Sequence, residues 1–349
     1  MITKHAAIHI SLATLKSIET SFLLILIIQV TTFQYAPPSN QTIRRDFTAT
    51  THATNYPLIS PLALNLTGRF VLMTGAAQED GKGYVTALAF ARTGASGIVL
   101  ADLYDISPPL VSKLKAAASE AKRGEPVVIT GTVDISNLTS VEAFQEQGSA
   151  AFHDRLVVLD TNAAQQEPYR SILESDPEVY WRTWEVNVHG LFNMTRTFSP
   201  CSCPHAMTRG AWVNVSSSGA LSVRAGSASY WTSKLAVLRC TEALNLEHSE
   251  QGLLAFCVNP GAIKPQMTVN EPEAIRVKLP HKPEIAGDTI VWLASQRREW
   301  LGGRYVSCPW YMEESMSRKE EISQGDKLKM KMACRVQMLA IGGAISGAL

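Results

Sequence analysis

From Phe70 onward, short apolar runs alternate with helix-length stretches, and few architectures accommodate that order. Residues 70–73, 97–101, 126–133, 155–159, 211–215 and 253–258 read as strands, each short and rich in aliphatic side chains. Between them, 84–92, 112–123, 141–150, 176–199 and the stretch carrying Tyr230 read as helices. Strands separated by a helix pair in parallel, because the helix is the crossover that returns the chain to the same end of the sheet. Repeating that unit predicts an α/β single domain, a doubly wound parallel sheet with helices on both faces. The 349 residues, 46% of them hydrophobic, suffice for a domain of about 250 residues with an extension at either end. Ligands of such sheets bind beyond the carboxyl ends of the strands, where Gly75, Asp102, Asn162, Ser217 and Pro260 all fall.

The first unit carries the strongest local signal. Strand 70–73, a turn beginning at Thr74-Gly75, the alanine-rich helix 84–92, strand 97–101 and then Asp102 follow the order used to bind dinucleotides. Glycines let the main chain approach a pyrophosphate, the helix start offers free N–H groups, and the acid takes the ribose hydroxyls. A carboxylate there repels a 2′-phosphate, so NAD is expected in preference to NADP. An ordinary βα turn also contains glycines; the flanking strand, helix and acid are what favour a nucleotide. A second constellation lies further on. Tyr230 and Lys234 are spaced to set a phenol and an ammonium on one helix face, and Ser217 closes the apolar run 211–215. A strand end and a helix start can therefore aim three functional groups at one point.

Thr74-Gly75 with Gly81 and Gly83, Asp102, Asp134-Ile135, Asn162-Ala163, Asn187, Ser217, Tyr230-x-x-x-Lys234 and Pro260-Gly261 follow one another over about residues 66–310. As an ordered set they resemble the short-chain dehydrogenase/reductase family. Trp292-Leu293 to Arg304-Tyr-Val-Ser307, with Tyr56-Pro57-Leu-Ile-Ser60, look like a fungal subgroup of it. The resemblance implies the Rossmann fold and hydride transfer between a nicotinamide cofactor and a small or medium alcohol or ketone. It implies that Thr74, Gly75, Gly81, Gly83, Asp102, Asp134, Ile135, Asn162, Ala163, Pro260, Gly261 and Ile263, with Tyr230 and Lys234, hold that cofactor. Tyr230 would be the acid/base, Ser217 would hold the substrate oxygen, and Asn187 would continue a proton relay through water to Lys234. A free phenol has a pKa of about 10 and must come down by about 3 units, worth roughly 4 kcal/mol, to act near neutrality. Lys234 is a source of that shift, because a nearby cation favours phenolate. A homodimer or homotetramer formed through the helices of Asn187 and Tyr230 also follows from the resemblance.

The sequence departs from the family pattern in three places. Five residues, Ala76-Ala-Gln-Glu-Asp80, separate Gly75 from Gly81 where the family has three, and acids beside a diphosphate oppose binding unless they face solvent. Thr161-Asn-Ala-Ala164 stands in place of Asn-Asn-Ala-Gly, and Pro265 stands where a threonine is usual, with Thr268 later. These departures support a second reading, a non-catalytic nucleotide-binding protein of the same fold. The segment after Gly261 would form the substrate lid, with Trp231 and Met267 as candidate apolar lining.

The remaining features limit partners and place. A net charge of +1, from 32 basic and 31 acidic residues, leaves no footprint for nucleic acid. Six cysteines spread along the chain fit reduced thiols in an intracellular protein, and Cys201-Ser-Cys203-Pro-His205 is spaced too tightly for a zinc pair, so no metal is expected. In residues 1–45, Lys4 and Lys16 precede an apolar run at 22–30 that matches a signal h-region yet is shorter than the about 20 residues a spanning helix needs. That extension reads as a targeting or anchoring segment, a disordered arm or a wrongly assigned start, ahead of a nucleotide-binding domain at 46–312. A helical tail is expected over 313–349, where Lys327, Lys329 and Lys331 precede an apolar end too short to span a bilayer. A cytoplasmic enzyme is the expectation, with membrane association through residues 1–35 as the alternative.

Overall fold

A computed structural model of the chain describes residues 47–152, 156–198, 210–223, 225–263 and 279–331. Seven parallel strands form one sheet: β1 Phe70–Thr74, β2 Gly97–Asp102, β3 Val127–Thr132, β4 Leu156–Thr161, β5 Ala211–Val215, β6 Leu254–Asn259 and β7 Tyr305–Ser307. Their order across the sheet is β3-β2-β1-β4-β5-β6-β7, so the chain reverses direction between β1 and β4. That reversal opens a crevice at the carboxyl ends of those two strands. The aliphatic runs are buried on both faces, as a doubly wound sheet requires: β1, β5 and β6 are buried throughout.

Helices α1 Lys82–Arg92, α2 Pro108–Glu120, α3 Leu138–Phe152, α4 Pro177–Trp184, α5 Gly190–Thr197, α6 Ala228–His248 and α7 Pro283–Ser295 cover the sheet, followed by the short helices α8 Met312–Ser317 and α9 Lys319–Gln324. Helix α1 packs against α2 and α7, while α3 packs against α5 and α6 against α4. Between α4 and α5 the chain makes a π turn, Glu185–His189, in which Gly190 N donates to Glu185 O five residues back. The single helix expected over 176–199 is therefore two helical segments joined by a wide turn centred on Asn187. Helix α4 starts where Asp176 caps it, its carboxylate accepting from Glu178 N at 2.9 Å and Val179 N at 3.2 Å.

Both ends of the described chain close over the β7 side. Thr51 bridges Trp310 in antiparallel fashion, and the Glu314 carboxylate accepts from Ala49 N at 2.8 and 2.9 Å. Tyr305 N of β7 donates to Leu328 O at 2.9 Å, so the segment leading out of α9 covers the edge strand. Among the described residues no helix is long and apolar enough to cross a membrane, no group of three metal-binding side chains forms, and Cys240, Cys257 and Cys308 are free thiols. The apolar run 22–30, the Cys201 to His205 cluster, the segment holding Pro265, Met267 and Thr268, and the apolar end 338–349 lie outside the described residues.

One core residue breaks the apolar pattern. Asp160, in β4 between Met73 of β1 and Val213 of β5, is fully buried, and neither carboxyl oxygen has a hydrogen-bond partner. Burial alone pushes its pKa up to about 8. Because the folded chain keeps a proton that the unfolded chain sheds from about pH 4, stability falls by about 1.4 kcal/mol per pH unit from there until the folded group ionises near 8. Asp160→Val is expected to stabilise the fold at pH 8 more than at pH 5; urea unfolding of both proteins at the two pH values checks this, and equal gains would contradict it.

Candidate active site

The glycine turn is built by close approach between main-chain segments. Gly75 has φ +72°, and a Cβ there would lie 2.9 Å from both Ala163 Cα and Asn162 Nδ2. At Gly83, in the first turn of α1, a Cβ would stand 2.4 Å from Gly75 O. Asn162 holds this junction: its side-chain amide donates to Thr74 O and Gly75 O, each at 3.2 Å. Thr74 Oγ1 accepts from Asn162 N and Ala163 N, each at 3.0 Å. Gly81 precedes α1 as its N-cap, so the first N–H groups of the helix open onto the turn. Glycines that a methyl group would disable, at a helix start on the sheet's reversal point, fit a dinucleotide's pyrophosphate.

The extra residues of the turn swing outward. Glu79 pairs with Lys113 of α2 at 2.5 Å, and Gln78, Glu79 and Asp80 are exposed. Ala77 N donates to Asp102 Oδ2 at 2.8 Å, and Tyr104 N donates to Oδ1 at 3.1 Å. Asp102 therefore fastens the long turn as well as ending β2, with lone pairs left for ribose hydroxyls. Asp134 is more committed: its carboxylate accepts from Ser136 N and Oγ and from Arg182 of α4 at 3.1 Å. Partial burial works against ionisation, but Ser136 and Arg182 outweigh it and hold the carboxyl below its usual range. Ile135 turns its side chain into the core beneath Gly190, and its carbonyl accepts from Asn193 at 2.9 Å, so any contribution to a ligand falls to its N–H.

The Ser217, Tyr230 and Lys234 group sits where β5 meets α6. Lys234 is buried, and its amine donates to Val215 O, the last residue of β5, at 2.8 Å. Ser216 Oγ donates to Lys234 O at 2.7 Å, a second stitch between strand end and helix. The amine lies 5.8 Å from the centroid of the Tyr230 ring. Burial first, and then the like charge of Lys82 in α1, push the Lys234 pKa down to about 7, with Cys257 pulling the other way. Ser217 Oγ accepts from Gly219 N at 3.0 Å, which leaves its hydroxyl proton to point elsewhere.

Asn187, at the centre of the π turn, is buried. Its Oδ1 accepts from Gln165 N at 2.8 Å, and Nδ2 donates to Gln165 O and to Ser233 Oγ, each at 2.9 Å. Both amide hydrogens are used, so the side chain locks the loop after β4 against α6, and a relay would have to use main-chain groups of the turn. Asn187, Thr161 and Lys234 all line one small pocket beside the end of β5. On the far side Gly261, at φ +101°, lies against Pro309 and His281, and Ile263 is buried.

A model of the short chain dehydrogenase family matches residues 69–276. The chain is 40% identical over 285 residues to short chain dehydrogenase mpl6 of Monascus purpureus, covering 81% of this chain and 94% of that one. The chain belongs to the short chain dehydrogenase family. A second fungal relative, short chain dehydrogenase pigC of Monascus ruber, is 35% identical over 82% of this chain and 93% of its own. Among solved structures, NAD+-bound xylitol dehydrogenase superposes with a TM-score of 0.59 at 18% identity, over 69% of this chain and 98% of that chain. Carveol dehydrogenase from Mycobacterium avium, in complex with NAD, gives 0.60 at 18% identity over 70% and 97%. These structural likenesses show that the fold is shared.

Three residues that tie these segments together escaped sequence reasoning. Glu167, buried, accepts from the N–H groups of Ser229 and Tyr230. Gln165 offers its main chain to Asn187. Asn259 accepts from Ser218 N at 3.1 Å and Gly261 N at 3.3 Å, joining the ends of β5 and β6. Only Asn259 had a signal, its place before Pro260-Gly261. Gly83→Ala is expected to lower the melting temperature by several degrees, since its methyl must push Gly75 away; an unchanged transition in thermal unfolding would show that the turn relaxes freely.

Proposed function

We propose that this short chain dehydrogenase interconverts a small or medium alcohol and its ketone or aldehyde, with NAD favoured over NADP and Tyr230 as the acid/base. The observation that carries this reading is the Lys234 amine, fixed by Val215 O at the end of β5 and one helical turn from the Tyr230 phenol. A bound nicotinamide cofactor supplies the hydride acceptor or donor. Thr74, Gly75, Gly81, Gly83, Asn162 and Ala163 would hold its pyrophosphate side and Asp102 its ribose, with Asp134, Ile135, Pro260, Gly261 and Ile263 as further contacts. Tyr230 takes the alcohol proton in oxidation and returns it in reduction, while Ser217 orients the substrate oxygen. Lys234 favours phenolate when charged, and a neighbouring phenolate in turn draws a proton back to an amine that burial otherwise discharges near neutrality. Asn187 keeps the π turn and the loop after β4 in register with that helix.

A cytoplasmic location goes with this reading, as does assembly through α4, α5 and α6. An apolar groove of about 880 Å³ runs between these helices, lined by Trp181, Trp184, Phe192, Trp212 and Leu244, with Trp181 and Phe192 more than half exposed. A second copy related by a two-fold axis is the occupant we propose, since such an axis sets the same apolar stripe against itself. Phe192→Glu is expected to convert the dimer to a monomer in size-exclusion chromatography with light scattering; a monomeric wild type would refute the assembly.

The functional reading is tested by thermal shift with NAD, NADH, NADP and NADPH, then by turnover of an alcohol and ketone panel. Tyr230→Phe is expected to keep the nucleotide shift and lose at least 100-fold in kcat, the scale of a missing general acid/base. No shift with any nucleotide would refute the enzyme, and a larger shift with NADP would refute the role given to Asp102.

A further inference from the structure

Helix α6 begins in an unusual way. Gly226 has φ +78° and Ser227 φ +47°, two consecutive left-handed residues immediately before Ala228. An N-cap serine in the extended region lets its hydroxyl turn back to the second or third helical N–H. In the left-handed region Ser227 makes no such bond, and its Oγ accepts from Gln166 Nε2 at 3.3 Å instead. Helix α6 would thus start with uncapped N–H groups on Ala228, Ser229 and Tyr230, the first intrahelical bond being Trp231 N to Ser227 O.

Glu167 supplies the missing cap from another part of the fold. It lies in the loop after β4, is 3% exposed, and its carboxylate accepts from Ser229 N at 2.8 Å and from Tyr230 N at 3.0 and 3.2 Å. The same loop makes contacts along its length. Asn162 binds the glycine turn, Gln165 binds Asn187, Gln166 binds Ser227, and the Tyr169 ring fills the space a side chain at Gly226 would need. Residues 162–169 thereby join the nucleotide turn, the π turn and the start of α6. Glu167 is the only one of these contacts made directly to the main chain of Tyr230.

We propose that Glu167 is a positioning residue for Tyr230: it caps α6 from the β4 loop and sets both the place and the electrostatic surroundings of the phenol. This rests on Tyr230 being the acid/base. A side chain on a helix leans toward the N-terminus, so the Tyr230 ring tilts over the turn that Glu167 caps. A carboxylate there cancels the positive end of the helix dipole and opposes ionisation of the phenol, while Lys234 one turn on favours it. Glu167 and Lys234 thus act on Tyr230 in opposite senses, and Lys82 of α1 and Cys257 of β6 act on the lysine. Replacing Glu167 removes both the hold on the N–H groups of Ser229 and Tyr230 and the negative charge.

The test reads the phenol itself, in the full-length protein labelled with [13Cζ]tyrosine, the Tyr230 resonance being the one lost in Tyr230→Phe. In Glu167→Gln the titration midpoint of Tyr230 is expected to fall by at least half a pH unit while circular dichroism stays that of the wild type. A cap of purely structural importance would lower the melting temperature and leave the midpoint unchanged, and that result overturns the proposal. If Glu167→Gln does not fold, Glu167→Asp carries the same test: its carboxylate is drawn back from the helix, the midpoint is expected to fall by a smaller amount, and an unmoved midpoint overturns the proposal. The titration needs no substrate, so an inactive wild type with a shifted midpoint would refute the catalytic reading alone, and an active one with no shift would refute only the role of Glu167.

Discussion

The site depends on a buried amine. Lys234 gives a hydrogen bond to the carbonyl of Val215, a contact that ties α6 to the end of β5. Rotation of α6 decides where Tyr230 faces, because the two side chains share a helix face one turn apart. Ser216 reinforces the stitch by donating to Lys234 O, and Asn214 does so deeper in, through Thr241 on one side and Thr161 on the other. Burying an ammonium disfavours its charge, and here burial is the main reason its pKa drops to about 7. An amine poised near neutrality responds strongly to any anion placed beside it.

Around that amine several buried polar side chains are satisfied by main chain. Asn162, Asn187 and Asn259 each bond the main chain of a loop at the carboxyl end of the sheet, and Glu167 bonds the first N–H groups of α6. Loops carry few apolar contacts of their own, so buried amides and carboxylates that cross between them supply the order that packing cannot. Asp160 is the counterexample in the same strand as Thr161: it is buried without such a partner and keeps its proton instead. Its titration and that of Lys234 act on stability with opposite slope. Asp160 costs stability as pH rises toward 8, whereas Lys234, discharged when folded, favours the fold increasingly above 7.

Most of the fold was legible because aliphatic runs flanked by turns mark buried strands with little ambiguity. All six strands read from the sequence occur, while β7, only Tyr305–Ser307, is too short to carry a pattern. Helix α2 begins at Pro108, four residues before the sequence reading, since a proline pair suits a first turn as well as a loop. The π turn at Asn187 left no mark because widening a helix by one residue changes hydrogen bonding, not composition. Glu167 was invisible for a different reason. It caps a helix about sixty residues further along the chain, and capping patterns read from sequence are local.

The lengthened glycine turn, which argued from sequence against nucleotide binding, has a physical resolution. Its acids cannot both be near a diphosphate if Glu79 is drawn to Lys113 on α2, and Asp80 is exposed beside it. An exposed pair of this kind is worth little to stability. Its consequence is directional: it turns the insertion toward α2 and away from the face where Gly75 and Gly83 meet Asn162. Asp102 completes the arrangement by binding Ala77 N, so the residue that would receive the ribose also holds the turn that would receive the phosphates. Coupling those two functions in one carboxylate means that loss of the acid disturbs the whole nucleotide cradle, whichever nicotinamide cofactor it serves.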